Sequence, residues 1–252
     1  MQAEKAEYAT ANPSRSPHPR YRTNAMTVPR GVKITDRDRA ILNWIGRHGV
    51  VTADQVRRYF FARGNLTGQR AAQRRLQILE SLGLIRRDLT PFWRAPKVIR
   101  VTTAGARVGE VGVAPARLVE GELRHAVALV DLVEEVAGAN PGATLQTERE
   151  LRQERYENRL NNRRIDARGR CPDGLIYLKS GKKVAIELDL TPKRTKDYER
   201  ILRAYRREPV DLVWWYIVPG AVPRVRKLVK DNRCDDLIEV RPIESTTSQP
   251  FG

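Results

Sequence analysis

Residues 184–190 read Val-Ala-Ile-Glu-Leu-Asp-Leu, and strand alternation sends Val184, Ile186, Leu188 and Leu190 to one face. Glu187 and Asp189 share the other face, with their Cα atoms about 6.6 Å apart. Just upstream, Pro172-Asp173-Gly174 sets a third carboxylate at the mouth of the neighbouring hairpin strand. Three convergent carboxylates form a hard-oxygen site suited to Mg2+ or Mn2+ and poor for Zn2+. An ion held there would polarise a phosphodiester and lower the pKa of its bound water. The chain has only three His and two Cys, so a His/Cys metal site is not expected. There is no Gly-rich phosphate loop and no serine nucleophile motif. The plain alternative is that Glu187 and Asp189 form the solvated face of a strand.

A second set of residues suits recognition rather than catalysis. Residues 67–82 have the period of a helix, with Ala72, Leu76, Leu79 and Leu82 inward and Arg70, Arg74 and Arg75 outward. Gln69, Arg70, Gln73 and Arg74 can read base edges in a major groove. Two β-prone runs follow, 84–89 and 97–102, and Arg86, Arg87, Arg94 and Lys97 flank that hairpin where phosphate would lie.

The rest of the chain must position these groups. Thr35 with Asp38, and Thr52 with Gln55, have capping-box spacing and open two helices before the third. Three helices followed by a hairpin make a winged helix-turn-helix. Residues 105–115 look like a turn and linker. A helix is expected over 118–137, with Glu134 and Glu135 exposed, and then strands at 143–151, 174–178 and 183–190. A helix at 196–207, a strand at 210–218, a helix at 222–231 and a strand at 237–242 complete an α/β domain around a mixed sheet. The expected divisions are a basic tail at 1–30, a winged helix at 31–112, the α/β domain at 113–245 and a flexible end at 246–252.

The chain carries 47 Lys+Arg against 30 Asp+Glu, a net charge of +17. Twenty basic and seven acidic residues fall in the first hundred, so the charge is concentrated where the helical triplet lies. Such a segment releases counterions from a phosphate backbone, which makes double-stranded DNA the natural partner. No apolar run approaches the length of a membrane span, and no secretory signal opens the sequence. A cytoplasmic, nucleoid- or plasmid-associated protein without a membrane partner is expected. A dimer, or assembly with other replication or transfer proteins, is compatible with this pattern, although no residue marks the interface.

Pro172-Asp173, a hairpin and Glu187-x-Asp189 together resemble the PD-(D/E)XK nuclease superfamily, which implies the αβββαβ core. The resemblance would make Asp173, Glu187 and Asp189 metal ligands and map the first acidic residue to Glu148, with Glu122 as second choice. It would assign Glu187 and Asp173 to catalysis. The superfamily's lysine two residues after the Glu is replaced here by Asp189, which leaves Lys193 or Lys196 as migrated substitutes. From about Ile34 the chain also resembles the replication-relaxation family of plasmids and actinobacterial mobile elements. The stretches concerned are the helical triplet with its hairpin, Leu123-Arg124-His125, Thr147–Arg152, Pro172-Asp173-Gly174 and Glu187-Leu188-Asp189. That resemblance implies DNA transactions in replication, relaxation or transfer. A metal-dependent endonuclease or nickase is the alternative.

Overall fold

The computed structural model describes residues 31–61, 66–89, 97–161 and 170–243. Its helices and sheets mix in an α/β architecture. The expected tail at 1–30, the end at 246–252 and Arg94 lie outside the described residues.

Helix α1 (Asp36–His48) starts at Thr35, whose hydroxyl accepts from the Asp38 amide while the Asp38 carboxylate accepts from the Thr35 amide. Strand β1 (Val51–Thr52) leads into α2 (Ala53–Phe60), capped in the same way by Thr52 and Gln55. These reciprocal caps satisfy amides that a helix start leaves open. Helix α3 (Leu66–Ser81) follows, then the hairpin of β2 (Ile85–Asp88) and β3 (Val98–Val101). The three strands form an antiparallel sheet in the order β1-β3-β2. Ile41, Leu42, Ile45, Val56, Leu76, Leu79 and Ile99 fill the core between helices and sheet.

Two differences from the sequence pattern fall here. Residues 105–115 are not wholly a linker, because Thr102 caps a short helix α4 (Thr103–Val108) that packs on α1. Arg75 does not point outward. It turns in to pair with Asp38, a carboxylate only 1% exposed, and its guanidinium also reaches the Lys33 carbonyl. A buried carboxylate demands a cation more strongly than water demands an arginine.

After a single 3-10 turn (Glu120–Glu122), α5 (Leu123–Ala139) begins. Strand β4 (Thr144–Thr147) ends where the sequence pattern runs on as a strand, and Thr147 caps α6 (Glu148–Leu160) through a capping box with Glu150. Then come β5 (Gly174–Tyr177), β6 (Lys183–Asp189), α7 (Thr195–Tyr205), β7 (Leu212–Ile217), α8 (Val222–Asp231) and β8 (Ile238–Pro242). Their five strands lie in the order β4-β5-β6-β7-β8, antiparallel through β6 and parallel from β6 to β8. Gly181, at φ 85°, makes the tight β5–β6 turn that a side chain would strain.

The layers follow from which side chains share a core. Val184, Ile186, Leu188 and Trp214 meet Ala128, Leu132, Val133 and Val136 of α5 on one face of the sheet. Ala185, Val213, Trp215 and Ile217 meet Tyr198, Ile201, Leu202 and Val225 of α7 and α8 on the other. The other side of α5 packs against the first unit, where Val130 joins its core and Leu123 and Val127 meet Val50 and Val98. Glu134, expected in solvent, is half buried and accepts from Trp44 Nε1 at 2.7 Å, with His48 Nε2 at 2.8 Å. The order through the molecule is therefore first unit, α5, five-stranded sheet, α7–α8, with α6 beside them: its Leu151 enters the α7–α8 core and its Glu150 pairs with Arg47 of α1.

Candidate functional site

Helix α3 presents Gln69, Arg70, Gln73 and Arg74 to solvent, opposite buried Ala72, Leu76 and Leu79. The four lie within an arc of about 140° on the helix. None of their side chains makes a hydrogen bond or ion pair among the described residues. The hairpin is less uniform. Lys97 is exposed, and Arg86 is exposed with one ion pair to Asp88 at 3.1 Å. Arg87 leans back towards α3, 3.2 Å from Glu80, and its Nε and one Nη are buried without a hydrogen bond. Arg100, which the sequence did not single out, ties Asp88 to the Ala116 carbonyl inside the sheet.

Strand β6 places Glu187 and Asp189 on one face, as its alternation requires, but that face is covered rather than solvated. Glu187 is 1% exposed and Asp189 3%, because α7 and Trp215 close over them. Both Glu187 oxygens accept from Arg170, at 2.7 and 2.6 Å, and the Tyr205 hydroxyl donates to one of them. Burial pushes the Glu187 carboxyl up against the pull of Arg170. Asp189 pairs with Lys193 and accepts from Trp215 Nε1 at 3.1 Å. Burial and the neighbouring Arg170 lower the Lys193 ammonium.

Asp173 lies outside that covered face, at the entrance to β5. Its Oδ2 accepts from the Leu188 amide at 2.8 Å and lies 3.2 Å from His125 Nε2. The same ring nitrogen is 3.1 Å from the Leu188 carbonyl. A carbonyl only accepts, so Nε2 carries the proton and Nδ1 is the other pole of the ring. Burial works to lower the His125 pKa, but the Asp173 carboxylate outweighs it and holds the ring above its ordinary value. Glu148, at the first turn of α6, is pushed up by burial and by Asp173 against the pull of Arg152, its partner one helical turn on. Glu122, His125, Glu148, Arg152 and Asp173 line a cleft of about 270 Å3 beneath α1.

Each carboxylate of the expected metal set thus already has a partner: Glu187 has Arg170, Asp189 has Lys193, Glu148 has Arg152, and Asp173 has the His125 ring, a cation only when protonated. Among the described residues no three His, Cys, Asp or Glu groups converge so as to hold a metal ion. The donor set therefore does not fit Mg2+ or Mn2+ as arranged, since a hard cation needs free carboxylate oxygens. One-to-one pairing offsets the mutual repulsion of these acids without removing it, since Asp173 still pushes Glu148 and Glu187 up, and Lys193 is occupied in that pairing. Arg170, Tyr205 and His125 were not singled out for this site. Arg170 and Glu187 are 17 residues apart, and no period or motif links them.

These features define an α/β protein with a free, basic helix face at one end and a charge-paired carboxylate cluster in its mixed sheet. The family model for replication-relaxation matches residues 42–211, and the chain belongs to the replication-relaxation family. Membership points to a role in the replication or relaxation of mobile elements. No curated protein and no solved structure matches the chain. No helix among the described residues is long and apolar enough to cross a membrane.

Proposed function

We propose that the protein binds duplex DNA of a mobile element through α3, with the β2–β3 hairpin on the backbone, as a winged helix does. The observation that carries this reading is the unpaired state of Gln69, Arg70, Gln73 and Arg74, against the inward turn of Arg75 beside them. Side chains that pair with nothing in their own chain keep their donors for base edges, and Arg presents the bidentate fork that guanine accepts. The helix is about 24 Å long, enough to lie along a major groove. Lys97 and Arg86, both exposed, would meet phosphates, whereas Arg87 contributes to the hairpin's own packing.

The α/β domain serves as a scaffold for that contact, in a fold like that of nucleases but with its carboxylates committed to internal pairs. DNA from the element's own neighbourhood should show a footprint that Arg70→Ala or Arg74→Ala weakens by about 1–3 kcal/mol and makes less selective. Equal losses on target and random duplex would remove α3 from base reading. The alternative of a Mg2+- or Mn2+-dependent nickase has a direct check. Supercoiled plasmid should remain intact with either metal at millimolar concentration, and nicking that Glu187→Ala abolishes would reverse the assignment of the cluster.

A further inference from the structure

We propose that the outer face of α7 and α8 holds a second DNA duplex by its phosphates, so that one chain bridges two duplex segments. The proposal rests on α3 as the site of the first duplex and adds a second site on the α7–α8 layer. Residues 193–208 and 222–233, which cover α7, α8 and their ends, contain 12 basic and 4 acidic residues. Helix α6, in the same domain, contains four of each, and its Arg152 is paired with Glu148 one turn back. Set against α6 of the same domain, the excess falls on α7 and α8 and is not a uniform consequence of an arginine-rich composition.

Geometry makes the excess usable. Lys196, Arg200 and Arg203 stand at i, i+4 and i+7 on α7, all exposed and opposite buried Tyr198, Ile201, Leu202 and Tyr205. Lys196 and Arg203 make no ion pair among the described residues, and Arg200 has only a 3.3 Å contact with Asp197 at a side chain 77% exposed. On α8, Lys227 and Lys230 are exposed one turn apart, and Lys227 is a loose 3.8 Å from Asp231. A stripe about 10 Å long on α7 runs beside a duplex segment carrying about six phosphates. Arg200 borders a shallow cleft whose other side chains include Glu148, Arg152, Arg170 and Asp173, and the exposed stripe itself is polar, so a polyanion fits the surface better than an apolar protein partner does.

The layer order supplies the bridging. The first unit packs on one side of α5, the sheet lies on the other side, and α7–α8 cover the sheet's far face. Helix α3 and the α7–α8 pair contribute to separate cores, with α6 reaching from α1 to the α7–α8 core, so the two duplexes would lie against different layers of the molecule.

The test immobilises a duplex carrying the element's target and offers a labelled random duplex in solution to the full chain. Wild type should footprint the target and capture the labelled duplex. The triple variant Lys196→Glu, Arg200→Glu, Arg203→Glu should keep its melting temperature and footprint but lose capture at least about tenfold, as a salt slope loses about 0.9 per phosphate contact removed. The triple Gln variant should lose capture to a smaller degree, with no charge reversal to disturb the fold. Capture by the triple Glu variant equal to wild type would mean bridging by two copies through α3 and would overturn the proposal. So would a wild type that footprints the target and captures nothing. Failure of the α3 reading is seen separately, as a footprint that Arg70→Ala with Arg74→Ala leaves intact.

Discussion

Neighbouring arginines on α3 have opposite tasks. Arg74 is exposed and unpaired, so Arg74→Ala should leave stability within about 0.5 kcal/mol while weakening DNA binding. Arg75 neutralises buried Asp38, and Arg75→Ala should cost about 3 kcal/mol of unfolding free energy in a denaturant titration. A similar loss from both would contradict the division of labour. At the carboxylate cluster, His125 is held above its ordinary 6.5 in the folded chain, outweighing the burial that would lower it. A raised value gives stability that is complete below 6.5 and is lost as pH rises through the folded value. His125→Asn should therefore flatten the stability profile just above pH 6.5, where the wild type loses at most about 1.4 kcal/mol for each pH step of one. If the two proteins have parallel profiles there, His125 is not the paired group described. Glu187 and Asp189 were legible as sharing one strand face, because alternation is local. Their partners Arg170, Tyr205 and Trp215 were not, because long-range pairing leaves no period in the sequence.

Among the elements, those with a cap and an apolar stripe were the easiest to read. Thr35 and Thr52 announce α1 and α2, and Ala72, Leu76 and Leu79 announce α3. Helix α6 was hidden. Of its 13 residues only Leu151 is buried, so no stripe marks it, and the β-prone run before Thr147 continues visually into it. Its start depends instead on Thr147, whose hydroxyl also donates to the Arg47 carbonyl of α1 at 3.1 Å. Thr147→Ala should cost about 1–2 kcal/mol, and Thr147→Ser should recover most of it, measured by thermal unfolding. Full stability in the Ala variant would mean that Glu150, paired with Arg47 at 2.6 Å, secures this junction alone. Helix α4 escaped for a different reason: six residues are too few for a helical period to appear.

For the whole molecule, α5 decides how the parts depend on one another. Val130 belongs to the core of α1–α3, and Gln55 Nε2 donates to the Val127 carbonyl at 2.8 Å. Arg58 bridges Asp131 at 2.7 Å in the same seam. The sequence places a boundary at 112 within the turn and linker expected at 105–115, and packing carries the first unit's core on into α5. A fragment of residues 31–112 should consequently melt lower than one of residues 31–139, by several degrees for the few kcal/mol of lost apolar contact. Equal melting temperatures would make the first unit independent of α5. If α3 reads base edges, a footprint on the mobile element's own DNA will register it. Wild type should protect a defined site, lost or blurred in the Arg70→Ala, Arg74→Ala double variant, whose melting temperature should be unchanged. An unchanged footprint from that folded double variant would contradict base reading by α3.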